Sequence, residues 1–338
     1  MSPVATPPPL LRMTPSGLYC EAGDFFIDPW RAVDRAVITH AHSDHARAGS
    51  ASYLAADEGR SILQHRLGAG AKIEGIAYGR SRSLRGVRVS LHPAGHIRGS
   101  AQVRVEHRGQ VWVVTGDYKR APDPTCTPFE LVRCDTLITE ATFAFPVYRW
   151  EKSSAVIDEI VSWYRECVAE GRTAILHTYS LGKAQRLLAE LGPYVDGPVW
   201  VHGAIEPLNA LYRDAGVTLP PTELVVDLPK GEKLGGALVL APPSASTPAW
   251  MRRFRDPQTA FASGWMRLRG TRRRRALDRG FAISDHVDWY DLLQTVEESG
   301  ASRVIATHGD SVALVRLLRE RGIEASALET RFTGEDSE

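Results

Sequence analysis

A chain of 338 residues that is 43% apolar and 24% charged can bury the core of one large domain or two ordinary ones, and is too apolar to be disordered. Lys and Arg number 41 against 40 Asp and Glu, which excludes a uniformly basic nucleic-acid binder and leaves only a local patch for such a role. The longest apolar runs, such as VWVV and ALVLAPP, are strand-length and too short to span a membrane; Cys20, Cys126, Cys134 and Cys167 show no CxxC pairing and read as free thiols of a reducing cytoplasm.

In chain order, the proline-rich MSPVATPPPLLRM has neither a basic leader nor an apolar h-region and reads as a short flexible lead. Short strands follow at FFID (25–28), RAVIT (35–39) and GVRVSL (86–91). AQVRVEH and QVWVVT then form a hairpin about an Arg-Gly turn. From about residue 153 the rhythm changes. AVIDEIVSWYRECVAEG carries apolar residues at helical spacing with a closing Gly, AILHT is strand-like, and GKAQRLLAELG is again helical. This βαβ alternation predicts a parallel sheet flanked by helices, continuing through VWVH, IEPLNALYRDAG, ALVLAPP and TAFASG. The last stretch alternates FAIS, the helix DWYDLLQTVEESG, the strand RVIAT and the helix SVALVRLLRERG. No internal repeat or low-complexity linker appears, so the middle block reads as an insertion into a domain whose two ends pair in space.

The chemistry concentrates after RAVI, in THAHSDHA (39–46). Three of the chain's 11 histidines fall within the six positions from His40 to His45, far above their average density. In a strand, residues two apart point the same way, so His40 and His42 are expected to share a face and one ion, with Asp44 and His45 on the following turn. Imidazole and carboxylate together suit Zn²⁺ or Mn²⁺. Further ligands lie where strands end: His96 in the Gly-flanked HPAGHIRGSAQV, Asp117 in VWVVTGDYKR and His308 in RVIATHGDS. His40, His42 and His96 would hold one ion, Asp44, His45 and His308 the other, and Asp117 would bridge them. His92 precedes a proline rather than the tight turn and is passed over. Asp28, in FFIDP, is either an acceptor for a ligand histidine N–H or a turn-forming Asp before Pro.

HAHSDH resembles the HxHxDH signature of metallo-β-lactamase-fold hydrolases, with His96, Asp117 and His308 following in the expected order. The likeness extends to the nuclease branch with a β-CASP insertion, which includes the cleavage-and-polyadenylation endonuclease, RNase J and crosslink-repair nucleases. There an acidic residue follows a strand after the bridging Asp, matched by Glu140 in TLITEATFA, and a histidine opens the returning segment, matched by His286 in AISDHVDW. HPAGHIRGSAQV, TGDYKR, ASGWMRLRGTRRRR and SDHVDWYDL look most like the bacterial ligase-associated DNA exonucleases. RNase J carries an additional C-terminal domain that this chain is not expected to hold. The resemblance implies an α/β fold, an αββα metallo-β-lactamase sandwich over residues 1–145 and 265–338, interrupted by an α/β β-CASP cap over 146–264.

It also implies two divalent ions, Zn²⁺ or Mn²⁺, and hydrolysis of a phosphodiester, since paired ions stabilise both attacking and leaving oxygens of an in-line displacement. His286 is implied as the general acid, with Glu140 orienting it or raising its pKa. Six arginines between residues 267 and 275, among them Arg267, Arg269, Arg272, Arg273, Arg274 and Arg275, sit together without an acid and favour a phosphate backbone. Arg98, Lys119 and Arg120 add positive charge near the metals, and Tyr148 and Trp150 are aromatics that either stack on bases or pack in the core. Ser180 and Lys183 open a helix whose N-terminus suits a phosphate, although HTYSLGKAQ lacks the P-loop pattern. The expected function is exonucleolytic hydrolysis of single-stranded DNA in repair, associated with an ATP-dependent DNA ligase and a helicase and involving no membrane. The alternatives are an RNA-processing nuclease, or a small-molecule hydrolase such as a thioesterase or lactonase.

Overall fold

The computed structural model describes residues 9–268 and 277–328. Two mixed sheets and one parallel sheet organise them. The first is built from β1 (Arg12–Thr14), β2 (Gly17–Cys20), β3 (Phe25–Ile27), β4 (Arg35–Val37), β5 (Ser52–Ala56) and β6 (Ile73–Ile76), in sequence order. In the second, β19 (Glu324–Ala327), β18 (Arg303–Thr307) and β11 (Thr136–Glu140) run parallel beside β10 (Gln110–Val114). β9 (Ala101–His107), β8 (Val87–Pro93) and β7 (Ser81–Leu84) complete it as an antiparallel meander. Glu140 pairs with Thr307 across this sheet, so the two ends of the chain close one domain around the middle block.

Alternation in the strands makes the layers. Phe25, Ile27, Val37 and Leu54 of the first sheet meet Val87, Val89, Leu91, Val103, Val105 and Ile138 of the second in one core. The opposite faces are covered by helices. α1 (Arg60–Leu67) packs Ile62 and Leu63 onto Ala36, Tyr53 and Ala55 of the first sheet. α6 (Trp289–Ser299) and α7 (Val312–Glu320) pack Leu292, Val296, Leu314 and Leu318 onto Val113, Leu137 and Val304 of the second. Helix, sheet, sheet, helices is the αββα sandwich of the metallo-β-lactamase fold. α6 begins where Asp288 accepts the Tyr290 and Asp291 N–H groups and ends at Gly300 in the left-handed region, φ 69°.

The inserted block is an α/β cap. Its sheet is wholly parallel, in the order β14 (Thr222–Leu224), β13 (Val199–Val201), β15 (Leu238–Ala241), β12 (Ala174–His177), β16 (Gln258–Ala262) and β17 (Arg279–Phe281). AILH and LVLA, its central strands, are buried throughout, as a sheet covered on both faces requires. α2 (Ser153–Ala169) and α3 (Lys183–Leu191) cover one face, with α4 (Glu206–Asp214) lying against α3. The short α5 (Pro248–Met251) brings Trp250 and Met251 to the other. β17 lies beyond residue 265, where the catalytic domain was expected to resume, and extends the cap sheet to Phe281 because Ala260 to Ala262 offer it a parallel ladder. All four cysteines are free thiols. No helix among the described residues is long and apolar enough to cross a membrane.

Candidate metal centre and active site

Every candidate ligand stands just past the C-terminal end of a strand, on backbone that has left its ladder. The sequence expectation for His40 and His42 fails here: β4 stops at Val37, and both histidines lie in a loop rather than on one strand face. The ladder ends because Thr39 turns its N–H to the Asp28 carboxylate at 2.8 Å, after which Ala46 N bonds back to His42 O. Tight turns then bring the rest together. Gly99, at φ 78°, abuts Gly59, where any Cβ would collide with backbone, and this contact seats the loop that carries His96. His308 itself has φ 51°, and Gly309, at φ 117°, lies against the Ala141 carbonyl.

The result is two imidazole-rich clusters and a Glu140–His286 group, all three sharing the Asp117 carboxylate. His40, His42, His96 and Asp117 offer ligand atoms within 4.8 Å of one another, as do His45, Asp117 and His308. Asp117 Oδ2 lies 3.5 Å from His40 Nε2 and 3.5 Å from His45 Nε2, and Asp44 Oδ2 lies 3.7 Å from His45 Nε2. Hydrogen bonds behind the rings set which nitrogen faces inward. His45 gives Nδ1 to Asp28 at 2.7 Å, His96 gives Nδ1 to the Asp285 carbonyl at 2.8 Å, and His42 gives Nε2 to the Leu181 carbonyl at 3.2 Å. Each of these bonds leaves the ring's other nitrogen facing the cluster. The contacts His40 Nε2 to His42 Nδ1 and His96 Nε2 to His42 Nδ1, both 3.1 Å, place three ring nitrogens where they compete for one partner.

These residues fit divalent cations. His45 Nε2 is buried without a hydrogen-bond partner, and the donor set of imidazoles with a shared carboxylate suits Zn²⁺ or Mn²⁺. Burial and the neighbouring imidazoles hold His40 and His96 well below the ordinary histidine range, in the neutral form that a ligand needs. Burial likewise lowers His308. At His45 burial is opposed, and overcome, by the Asp117 and Asp44 carboxylates, which raise it well above the usual value. A cation bound there would displace a proton. Burial works against ionisation of Asp117, yet His45 and His286 outweigh it and keep the carboxyl well below its usual range.

Beside these clusters, His286 Nδ1 bonds Glu140 Oε2 at 2.8 Å, and Glu140 Oε1 accepts the Tyr118 N–H at 2.7 Å. Burial raises the Glu140 carboxyl, with His286 pulling the other way. Trp150 donates Nε1 to the His286 carbonyl at 2.9 Å and its backbone N–H to Asp288. Together with Phe143, Tyr148 and Trp265 it forms an aromatic cluster, in which Tyr148 is buried and Trp150 half-buried. A pocket of about 490 Å³ opens next to the ligand loop, lined by Ser43, His65, Arg66, Ser180 and Leu181.

The other expected contacts fare differently. Lys183 is 1% exposed, with Nζ 3.8 Å from Asp285 and 4.7 Å above the Tyr179 ring, so its charge serves the interior. Lys119 pairs with Asp123 at 3.1 Å and Arg120 with Glu298 at 2.7 Å, where their charges are already compensated. Arg267 pairs with Glu151 at 3.2 Å on the surface. Arg269, Arg272, Arg273, Arg274 and Arg275 lie outside the described residues. His92, passed over as a ligand, pairs with Glu130 instead. Two residues that sequence reasoning did not assign are Trp150, as a support of His286, and Arg186, which reaches Asp285 from the cap at 2.6 Å. No spacing pattern marks either one.

No protein-family model matches the chain. It is 33% identical over 329 residues to a probable DNA ligase of Opitutus terrae, a match covering 95% of this chain and 31% of that protein. It is 30% identical over 175 residues to endoribonuclease YSH1 of Gibberella zeae, covering 50% of this chain and 20% of that one. An RNase J-like protein of Methanocaldococcus jannaschii is 22% identical over 214 residues, 54% of this chain and 50% of the relative. The chain thus spans half or less of the length of these relatives. The two ribonuclease-type relatives accord with the metallo-β-lactamase sandwich and inserted β-CASP cap seen here.

Proposed function

We propose that this chain hydrolyses phosphodiester bonds of nucleic acid, and that its substrate is single-stranded DNA degraded from an end. The observation that carries the reading is the pair of ligand clusters sharing Asp117, with a hydrogen-bonded His286–Glu140 pair beside it. Two divalent ions, Zn²⁺ or Mn²⁺, held by His40, His42, His96, Asp44, His45, His308 and the shared Asp117, would supply Lewis-acid stabilisation of the phosphoryl oxygens during in-line displacement. His286 donates its Nε2 proton to the departing sugar oxygen, Glu140 holds the opposite nitrogen, and Asp28 fixes His45 in the required tautomer. The arginine run from Arg267 to Arg275 supplies the positive charge along which a single strand approaches.

DNA is favoured over RNA because the relative matched along 95% of this chain is named a probable DNA ligase, which also makes a DNA ligase the partner class we propose. RNA is the second reading, supported by the names of the endoribonuclease and RNase J-like relatives. End-labelled linear and circular strands of both sugars, digested in parallel with and without a chelator, test both. Metal-dependent release of mononucleotides from linear DNA is expected, with circular DNA untouched. Faster loss of RNA would transfer the assignment to the second reading, cutting of the circle would show an endonuclease, and chelator-resistant activity would refute the metal centre.

A further inference from the structure

Between the cap and the catalytic domain lies a buried charge cluster that the proposed chemistry leaves unused. Lys119, Asp123, Lys183, Arg186, Glu190 and Asp285 contribute three positive and three negative charges. Arg186 is 3% exposed and Asp285 also 3%. Burying so many charges is costly unless each is paired, and broken pairs there are strongly destabilising, so the geometry of the cluster is tightly determined.

Its centre is Arg186 of α3. One arm, Nη1, donates to Asp285 Oδ1 at 2.6 Å and to the Ser284 carbonyl at 2.9 Å; the other, Nη2, donates to Ser153 Oγ at 3.0 Å. Lys183 Nζ adds a second cation 3.8 Å from Asp285 Oδ2. The segment held in this way, Ser284 to His286, touches the active site twice. The Asp285 carbonyl accepts His96 Nδ1–H at 2.8 Å and thereby orients that ligand, and the next residue is His286, bonded to Glu140. Ser284 Oγ also accepts the His286 backbone N–H at 3.0 Å.

We infer that Asp285, clamped by Arg186 of the cap, is a positioning residue for both His96 and His286, so that seating of the cap sets the geometry of the metal centre. The guanidinium holds Asp285 and the Ser284 carbonyl with one nitrogen and Ser153 with the other, a rigid two-nitrogen span that the single ammonium of a lysine lacks. The inference rests on the roles proposed above for His96 and His286. It adds that two side chains remote from the substrate fix both at once.

The test compares Arg186→Lys, which keeps the charge but loses the fork, with the double variant Arg186→Met/Asp285→Asn, which removes one charge of each sign. Zinc affinity of the apo-protein is measured by competition with a chromophoric chelator, and kcat and KM on linear single-stranded DNA. Both variants are expected to bind one of the two zinc ions about 10- to 100-fold more weakly, the loss typical of a group that orients a ligand histidine. kcat should fall with KM changed by less than about 3-fold, since positioning of the acid acts on the transition state rather than on strand binding. Wild-type zinc affinity in a folded variant would overturn the inference, as would a change confined to KM, which would make the cluster a strand-binding anchor. If Arg186→Lys does not fold, the charge-balanced double variant decides. The zinc arm needs no phosphodiesterase activity, so an inactive wild-type protein would sink the nuclease reading and leave this inference to the affinity measurement.

Discussion

Glu140→Gln separates the proposed acid from the metals. The carboxylate meets two donors, the Tyr118 N–H at 2.7 Å and His286 Nδ1 at 2.8 Å, and it is 1% exposed. A glutamine offers one carbonyl oxygen and one NH₂, so it can accept from only one of them. If the oxygen stays on Tyr118, the NH₂ faces His286 Nδ1, which must then be an acceptor, and the imidazolium is disfavoured. If the amide flips, a buried backbone N–H loses its partner, which costs about 1–3 kcal/mol. Either way the acid is disabled, and cleavage of a DNA strand should slow by roughly 10²- to 10⁴-fold. The assay uses two substrates, an oligonucleotide and bis(p-nitrophenyl) phosphate. A nitrophenolate leaves without needing a proton, so its release should slow by less than about 10-fold while both metals are retained. Equal losses on the two substrates would refute the role of acid for His286. Metal loss in the variant would instead make Glu140 a ligand, its carboxylate lying within 4.8 Å of ligand atoms of Asp117 and His286.

Three further outcomes follow. Asp28→Ala removes the acceptor of His45 Nδ1 and of two Thr39 donors, and should weaken one of the two metals about 10- to 100-fold, read by elemental analysis after dialysis against a weak chelator. Gly99→Ala forces a Cβ into the Gly59 backbone at φ 78°, so thermal unfolding should show a loss of several degrees or more and weaker metal retention, because the loop of His96 is displaced. Burial and the Asp135 charge push the Cys134 thiol up to about 12 from an ordinary value of 9.0. The unfolded thiol ionises first, so this contribution is complete below pH about 9 and is lost as pH rises toward 12, at about 1.4 kcal/mol per pH unit. Urea midpoints between pH 8 and 11 should therefore fall less steeply in Cys134→Ala, and an unchanged slope would refute the assignment.

Much of the candidate metal centre can be read from residue types alone. Histidines and carboxylates at the ends of apolar runs are legible because loops after strands are where side chains are released from a ladder, and HAHSDH concentrates them in six positions. The βαβ rhythm from residue 153 likewise announces a parallel sheet, since buried central strands must be continuously apolar. Local spacing misled at His40 and His42, where strand periodicity was expected and an Asp28-capped loop stands instead. The bond from Thr39 to Asp28 spans eleven residues, beyond the reach of any local pattern.

What tertiary structure alone decided are the pairings across the chain. Arg186 and Asp285 are 99 positions apart, Glu140 and His286 146, and His42 meets the Leu181 carbonyl across 139. A lysine at a helix start looks the same in sequence whether it faces a phosphate or a buried aspartate, and only packing turned Lys183 inward to Asp285. Candidate ligands are thus legible from residue type and local position, whereas tautomer, orientation and charge state depend on partners that the chain meets only after the cap has folded against the sandwich.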